Sequence, residues 1–198
     1  MRSSLLIGYP MAGEDGAITP GGRRYNYLWY YPAPGQELTD ILTDANGRVY
    51  EYGIPPPMIR PEHVDRVREN AKRDMPESFH DAINLADSNI VQPIYDVLSQ
   101  RIAIGNVALI GDAAFVARPH VGVGVLKAGQ DAFSLATALG ECATIPEAMA
   151  RYEAERLRPG QQAVWHGRDL GSFIERGLDH PEDDPNFNLP PERAIKIS

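Results

Sequence analysis

Residues 107–132 read VALIGDAAFVARPHVGVGVLKAGQDA, and this stretch decides how the second half of the chain folds. The continuous apolar run from Val107 to Ile110 predicts a β-strand buried on both faces. The strand ends in Gly111-Asp112, a loop with proline and glycine follows, and small residues from about Gly124 predict the start of a helix. We therefore predict a strand–loop–helix unit, the kind of connection at which α/β sheets bind ligands.

The residues of this unit suit a polyol joined to a flat ring that becomes anionic. Asp112 would emerge at the end of the strand, able to accept hydrogen bonds from a diol. Gly122 and Gly124 carry no side chains and let a flat ligand approach the backbone. The N–H groups and the positive end of the following helix favour negative charge on that ligand. The alternative is that Asp112 only caps a turn, as Asp after Gly often does.

The segments on either side of this unit are predicted to be mainly helical. Leu126 to Leu139 has the apolar spacing of a helix with small residues that permit close packing. Pro146 to Arg158 and Gln161 to Arg176 are predicted as two further helices. From Asp179 onward the chain is polar and rich in proline, which is typical of an unstructured or surface-draped tail.

The first half of the chain is predicted to be rich in β-structure. Apolar or aromatic runs bounded by turn residues indicate an antiparallel meander over residues 3–52. Its expected strands are Leu5–Ile7, Tyr25–Tyr31, Leu38–Thr43 and Arg48–Tyr52. Helices are expected from Pro61, with Val64, Val67 and Ala71 on one face, and from Pro76 to Ala86. Residues 89–98 have strand-like composition.

These elements together predict a mixed α+β or α/β protein. An antiparallel sheet with two helices would occupy residues 1–100. A strand–loop–helix segment with C-terminal helices would occupy residues 101–178, and a flexible tail residues 179–198. We find no internal repeat.

Composition excludes several classes of function. The 198-residue chain has 19 Lys and Arg against 27 Asp and Glu, a net charge of −8, and no basic cluster, which disfavours nucleic-acid binding. A single cysteine, Cys142, excludes an internal disulfide framework and fits a reducing cytoplasm. The histidines have no metal-ligand spacing, so no metal site is expected. No apolar stretch is long enough to span a bilayer, and no signal peptide is evident.

The central stretch resembles the second flavin motif of the FAD-dependent aromatic hydroxylases of the para-hydroxybenzoate hydroxylase type. That motif has Gly-Asp-Ala-Ala-His, a proline, a glycine-rich turn and Ala-x-x-Asp-Ala-x-x-Leu-Ala. The matching residues here are Gly111-Asp112-Ala113-Ala114, Pro119, Gly122, Gly124, Ala128, Asp131-Ala132 and Leu135-Ala136. Three features look most like the 2,6-dihydroxypyridine 3-hydroxylase branch: Phe115 in place of the histidine, Arg118-Pro119-His120, and Arg24-Tyr25-Asn26 followed by Trp29-Tyr30. The likeness extends over roughly residues 5–175.

The resemblance implies a cofactor and a reaction. Asp112, with Gly111 before it, would hold the ribityl chain of FAD, and Pro119 would lie near the isoalloxazine ring. Backbone N–H groups would face the N1/O2 edge of that ring, from Gly122, Val123, Gly124, Val125 and Leu126. Members of the family use NAD(P)H to reduce the flavin and O2 to hydroxylate an electron-rich ring, here a small hydroxypyridine-like aromatic compound. Their substrate domain is a β-sheet, which agrees with the expected meander.

Four further residues are candidates for the substrate and for proton transfer. His120 either acts as an acid or base, because its charge changes near neutral pH, or is a loop histidine that only forms hydrogen bonds. Arg118 either pairs with an anionic substrate or is a solvated surface residue. Tyr25 and Trp29 lie on a predicted strand, of which one face would touch substrate and the other pack in the core.

The chain departs from the family in what it lacks. Members are longer and begin with a strand, a Gly-x-Gly-x-x-Gly turn and a helix that bind the ADP half of FAD, and no such element is found here. Gly122-x-Gly124 has Lys127 where a third glycine belongs. We expect the C-terminal half of a hydroxylase that alone binds FAD weakly or not at all and is inactive. The alternative is a non-catalytic remnant or dimerisation module. A homodimer, or a separate chain carrying the N-terminal half, are the expected protein partners.

Overall fold

The computed structural model describes residues 4–86 and 88–176. Contacts divide the chain into two compact units, Met1–Pro93 and Ile94–Ser198. The domain boundary expected near residue 100 stays a prediction. The expected tail from residue 179 lies outside the described residues.

The first unit contains the expected antiparallel sheet, reduced to two strands. Strand β1 (Leu5–Met11) pairs with β2 (Arg24–Tyr30) along its whole length, with Leu5 opposite Tyr30 and Met11 opposite Arg24. Aromatic and β-branched residues favour such half-buried strands. The prediction of strands at Leu5–Ile7 and Tyr25–Tyr31 is therefore confirmed.

The predicted strand at Leu38–Thr43 is wrong, because this segment forms helix α1 (Gln36–Ile41). Leu38 and Leu42 are four residues apart, which places them on one helical face, and Leu42 is buried against Ile54 and Ile59. The Thr43 hydroxyl donates to the Thr39 carbonyl at 2.6 Å, a contact made within a helical turn. Burial of the leucines thus selects the helical period over strand alternation.

The meander does not continue through residues 48–52. The turn expected at Asp44–Gly47 is present, with the Asp44 carboxylate accepting the Asn46 N–H at 2.8 Å. Only isolated bridges follow, Thr43 to Val49 and Ile54 to Val91. The sheet of this unit is consequently smaller than the sequence indicates.

The helices expected after residue 60 are present. Helix α2 (Pro61–Asp74) begins with proline at its first position and buries Ala71. A short 3₁₀ helix, Glu77–Phe79, leads into α3 (His80–Asn84), which buries Ile83. Both predictions of helix are confirmed.

Small antiparallel pairs open the second unit. Strand β3 (Val97–Leu98) pairs with β6 (Phe115–Val116), and β4 (Ala103–Ile104) pairs with β5 (Val107–Ala108). The strand-like stretch expected at residues 89–98 thus contributes only β3 among the described residues.

The prediction of a strand from Val107 to Ile110 buried on both faces is wrong. Strand β5 ends at Ala108, and Val107 and Ile110 are 62% and 41% exposed. Within residues 94–176, β5 pairs with β4 alone, so one edge of the strand and its apolar side chains have no covering strand.

Two long helices complete this unit. Helix α4 (Gly124–Glu141) begins where the sequence predicts. The two helices expected after Pro146 are one continuous helix, α5 (Ile145–Arg176), with Pro159 inside it. Pro159 cannot donate a backbone hydrogen bond inside the helix. The residues that follow it, Gly160, Ala163 and Val164, are buried and so keep this part of the helix packed in the core. Because that packing continues past the proline, the helix does not end.

The apolar core of the second unit lies between β4, β6, α4 and α5. Its fully or nearly buried members are Ile102, Ala103, Ala114, Phe115, Ala138, Ala148, Tyr152 and Val164. The fold is therefore the expected mixture: an antiparallel sheet, then a strand–turn–helix segment and C-terminal helices. Among the described residues no helix combines the length and apolar character that crossing a membrane requires.

Candidate functional site

The Gly111–Asp112 turn is the centre of the candidate site. It is a short 3₁₀ helix, Gly111–Ala113, between β5 and β6, and Gly111 has φ +58°. A Cβ atom at Gly111 would lie 3.3 Å from the Cβ of Ala128 in α4. Only glycine suits both the left-handed backbone and this close approach. The turn therefore packs directly against helix α4.

Asp112 extends from this turn into solvent. The residue is exposed, and its carboxylate has no hydrogen bond or ion pair with any residue that the structure describes. It does not cap the turn that contains it: the cap is a backbone bond from the Ala114 N–H to the Gly111 carbonyl. The carboxylate thus retains its full capacity to accept hydrogen bonds from a ligand.

Buried charged side chains of α4 bind the backbone of Gly111. The Gly111 N–H donates to Asp131 Oδ2 at 3.1 Å, and Lys127 Nζ donates to the Gly111 carbonyl at 2.8 Å. Asp131 is fully buried and Lys127 is 4% exposed. Arg156 of α5 donates from Nε to Asp131 Oδ1 at 2.8 Å. Both polar groups of Gly111 are thereby satisfied by one helix.

Leu109, which lies between β5 and the turn, is held separately by Tyr152 of α5. Its hydroxyl donates to the Leu109 carbonyl at 2.6 Å, and the side chain is fully buried. Burial, and then the nearby charge of Asp131, raise the pKa of Tyr152 to about 12. The hydroxyl therefore stays protonated and able to donate throughout the physiological range.

The second part of the site is the loop and helix start at residues 119–126. Pro119–Val121 form a 3₁₀ helix that ends at Gly122, where φ is +71°. In the part of the chain that the structure describes, no atom lies within 4 Å of the position that a Cβ would take at Gly122 or Gly124. Helix α4 then begins at Gly124, and no side chain of the described residues caps its first N–H groups. Val125 is 91% exposed. The result is an open glycine turn in front of the positive end of a helix, whose first N–H groups have no acceptor within that helix. The expectation that Gly122 offers its N–H to a ligand is wrong, because this N–H donates to the Pro119 carbonyl at 3.0 Å.

Arg118 is engaged by an acidic residue of its own unit. Its Nε donates to Asp96 Oδ2 at 3.1 Å, and Arg168 Nε of α5 donates to Asp96 Oδ1 at 2.9 Å. These guanidinium groups, Arg168 first, hold the pKa of the Asp96 carboxyl below its usual range against the opposing effect of burial. An anionic ligand at Arg118 would compete with Asp96.

His120 lies against α5. Its Nε2 is 3.0 Å from the carbonyl oxygen of Gly167. Because a carbonyl oxygen only accepts, Nε2 carries the proton. A Cβ at Gly171 would lie 3.1 Å from the ring of His120 and 2.7 Å from Arg118 Nη1. Glycines at 167 and 171 therefore let the 118–120 segment approach the helix closely.

Tyr25 and Trp29 lie in the first unit on β2. They are four residues apart in a strand, so they share a face of the sheet. Tyr25 is 51% exposed, and its hydroxyl covers the backbone of Gly8. The Trp29 ring contacts Tyr31 edge to face at 5.5 Å, and its buried Nε1–H has no acceptor among the described residues.

The structure thus brings together the predicted residues from Gly111 to Leu126 within one unit. Sequence reasoning missed Lys127, Asp131 and Arg156 as the group that holds Gly111, and Asp96 as the partner of Arg118. One signal was available: Lys127 and Asp131 are an i, i+4 pair of charges within a helix otherwise rich in small and apolar residues. The glycine spacing at 160, 167 and 171 was a second signal.

A family model described as FAD binding domain-like matches residues 1–96. The chain is 27% identical, over 183 residues, to 2,6-dihydroxypyridine 3-monooxygenase of Paenarthrobacter nicotinovorans, covering 92% of the chain and 45% of that protein. It is 30% identical over 169 residues to phenazine 1,6-dicarboxylic acid hydroxylase PhzS of Lysobacter antibioticus, covering 85% of the chain and 38% of that protein.

The fold of the chain also matches a solved structure along its whole length. The match is 2,6-dihydroxypyridine-3-hydroxylase from Arthrobacter nicotinovorans, with a TM-score of 0.82 and 25% identity, covering 100% of the chain and 49% of that structure. The chain accordingly spans less than half the length of the curated relatives it matches.

Proposed function

Since the chain is homologous to 2,6-dihydroxypyridine 3-monooxygenase and other FAD-dependent hydroxylases, we propose that it is the C-terminal portion of an FAD-dependent monooxygenase. The reaction would use NAD(P)H and O2 to hydroxylate a small aromatic ring of the hydroxypyridine type. A cytoplasmic location, supported by the single cysteine, is part of the same proposal.

One observation carries this proposal. The exposed carboxylate of Asp112, which has no partner within residues 4–86 and 88–176, projects from a turn hydrogen-bonded to α4, in the same unit as the open glycine turn at which α4 begins. A carboxylate that is free to accept and a row of N–H groups that are free to donate are complementary to a polyol chain and to the carbonyl edge of a flavin ring. The residues present therefore fit this part of FAD.

The chain's own residues would act by binding and orienting. Asp112 would accept hydrogen bonds from ribityl hydroxyls. The N–H groups from Val123 to Leu126, at the positive end of α4, would favour negative charge on the ring edge. When bound, FAD would supply the redox chemistry that lets one oxygen atom of O2 reach the substrate. Pro119, exposed just before the glycine turn, would border the ring.

The substrate would be recognised by fewer residues than the cofactor. Arg118 remains the proposed partner for an anionic hydroxypyridine, at the cost of loosening its bond to Asp96. His120 remains the proposed acid or base, and its Nε2–H is already donated to Gly167. Tyr25 and Trp29 of β2 remain proposed substrate contacts.

The alternative function is a non-catalytic module that associates with another polypeptide. It is favoured by the exposed apolar side chains of β4 and β5: Ile104 and Val107 are each 62% exposed. Such a surface is suited to burial under another protein segment, either in a homodimer or in a separate chain that carries the N-terminal half. The reading frame upstream of the Met1 codon discriminates cheaply, because a continuous frame encoding Gly-x-Gly-x-x-Gly supports a truncated enzyme.

The test is a titration of the chain with FAD, followed by the NMR shifts of its backbone amides, which detect weak binding and locate it. Of the two outcomes expected from the sequence, weak binding and none, the available acceptor and donor groups of this unit favour weak binding. We therefore expect shifts confined to the amides of residues 111–112 and 120–126. At equal FAD concentration Asp112→Ala should reduce these shifts, because binding is weaker, whereas Glu69→Ala, which removes an exposed carboxylate from the first unit, should leave them unchanged. Shifts that are absent, or equal in wild type and Asp112→Ala, would reject the proposed site. Stoichiometric FAD in the purified chain would reject the expectation of weak binding.

A further inference from the structure

Helix α4 buries two charged side chains, Lys127 and Asp131, where apolar residues would pack at lower cost. Burial of a charge is unfavourable, and an ion pair in a protein interior contributes little net stability compared with apolar residues of the same size. Asp131 is fully buried and Lys127 nearly so. Their position against the Gly111–Asp112 turn suggests a role other than stability.

The two side chains form hydrogen bonds to both backbone polar groups of Gly111. Asp131 Oδ2 accepts the Gly111 N–H at 3.1 Å, and Lys127 Nζ reaches the Gly111 carbonyl at 2.8 Å. Lys127 and Asp131 are separated by one helical turn, and Lys127 Nζ lies 3.4 Å from Asp131 Oδ2. The peptide groups on both sides of Gly111 are thus fixed to the same helix, one of them being the peptide that joins it to Asp112.

Arg156 connects Asp131 to a second helix, α5. Its Nε binds Asp131 Oδ1 at 2.8 Å, the oxygen that Gly111 does not use, and its guanidinium also donates to Gln130 at 3.2 Å. The orientation of Asp131 is therefore set from α5 as well as from α4. Gly111 itself contributes no side chain, because the space beside it is filled by Ala128.

We propose that Lys127 and Asp131 are positioning residues that hold the Gly111–Asp112 backbone so that the Asp112 carboxylate is presented to the flavin, with Arg156 holding Asp131. This inference rests on the proposed function, in which Asp112 contacts the ribityl chain. Neither residue needs to touch the cofactor. They act by keeping Asp112 in one orientation, which spares FAD the entropic cost of ordering the turn on binding.

The first arm of the experiment contains no flavin. Lys127→Met removes the ammonium group but leaves Asp131 paired with Arg156, so no charge is left alone and the chain should fold. The amide of Gly111 should exchange with solvent about tenfold faster, as expected for loss of one hydrogen bond near it. Arg151→Met is the matched control: Arg151 of α5 also contacts α4, through Glu141 at 2.7 Å, and it pairs with Glu155 of its own helix at 2.8 Å. It should leave exchange at Gly111 unchanged.

The second arm measures FAD affinity in a double-mutant cycle. Lys127→Met should weaken FAD binding about fivefold when Asp112 is present, and should have no further effect in the Asp112→Ala background. A merely structural role would weaken binding equally in both backgrounds, or lower only the unfolding temperature.

The outcomes separate this inference from the proposed function. Unchanged exchange at Gly111 in Lys127→Met, or an equal acceleration in Arg151→Met, overturns the positioning role. Additive losses of FAD affinity in the cycle overturn it as well. If wild type gives no FAD-induced shifts, the proposed function fails, and exchange at Gly111 still decides whether Lys127 and Asp131 hold the turn.

Discussion

The ring of Phe115 lies directly on the backbone of Gly160: a Cβ atom there would be 2.2 Å from two of the ring carbons. Phe115 is fully buried. This contact joins α5 to β6, the strand that follows the Gly111–Asp112 turn. Any side chain at residue 160 would prevent so close an approach.

Gly160→Ala should therefore destabilise the second unit, even though alanine favours helix. Overpacking of this kind costs about 1–3 kcal/mol, against a gain of up to about 1 kcal/mol from helix propensity. Gly129→Ala is the matched control, because Gly129 lies within α4 and none of the residues that the structure describes has an atom within 4 Å of its Cβ position. Denaturant unfolding should show opposite signs for the two variants. An increase in stability for Gly160→Ala would show that the Phe115 ring does not lie this close to the backbone of Gly160.

Asp96→Asn should destabilise the protein at neutral pH, by about 1–3 kcal/mol, because Arg118 and Arg168 lose their charged partner. The folded pKa of Asp96 is lowered, so the carboxylate's contribution is present above its unfolded value and is lost as pH falls through the folded value. The difference in unfolding free energy between wild type and variant should therefore shrink below about pH 4.

The control for Asp96 is Asp65→Asn, which removes an exposed carboxylate 3.3 Å from Arg68. An exposed pair contributes little, so the change should stay within about 0.5 kcal/mol. Equal effects of the two substitutions would mean that Asp96 is no more than a surface ion pair.

Tyr152→Phe should cost about 1–2 kcal/mol, since the Leu109 carbonyl loses its donor. The pKa of Tyr152 is raised from 10.0 to about 12, so the hydroxyl's contribution is complete below pH 10 and is lost as pH rises through about 12. Unfolding followed at neutral and at strongly alkaline pH should show the difference between wild type and Phe variant disappear. A difference in unfolding free energy that stays constant up to strongly alkaline pH would contradict the hydrogen bond from Tyr152 to Leu109.

The apolar surface of β4 and β5 should bind an apolar fluorescent dye or promote self-association of the chain. Ile104→Thr with Val107→Thr should reduce both, because these side chains are each 62% exposed. Ile18→Thr is the control: Ile18 is 76% exposed but lies in the first unit. A wild-type chain that is monomeric and does not bind the dye would contradict the prediction.

Residues 111–126 could be recognised from sequence because their chemistry is local. A glycine with a left-handed backbone, a carboxylate after it and a glycine-led helix start are properties of neighbouring residues. The partners of Arg118 and Gly111 could not be found this way. Asp96 and Arg168 are separated from Arg118 by 22 and 50 positions, and only packing brings them together.

Local residue patterns were enough to predict the strand–turn–helix order, the start of α4 at Gly124 and the flavin-like pattern, because each depends on short-range backbone preferences. Packing between distant segments makes residues 36–41 helical, carries α5 through Pro159, and brings Asp131 and Lys127 to Gly111. In each case the deciding free energy comes from burial against residues distant in the chain, and local preference does not contain it.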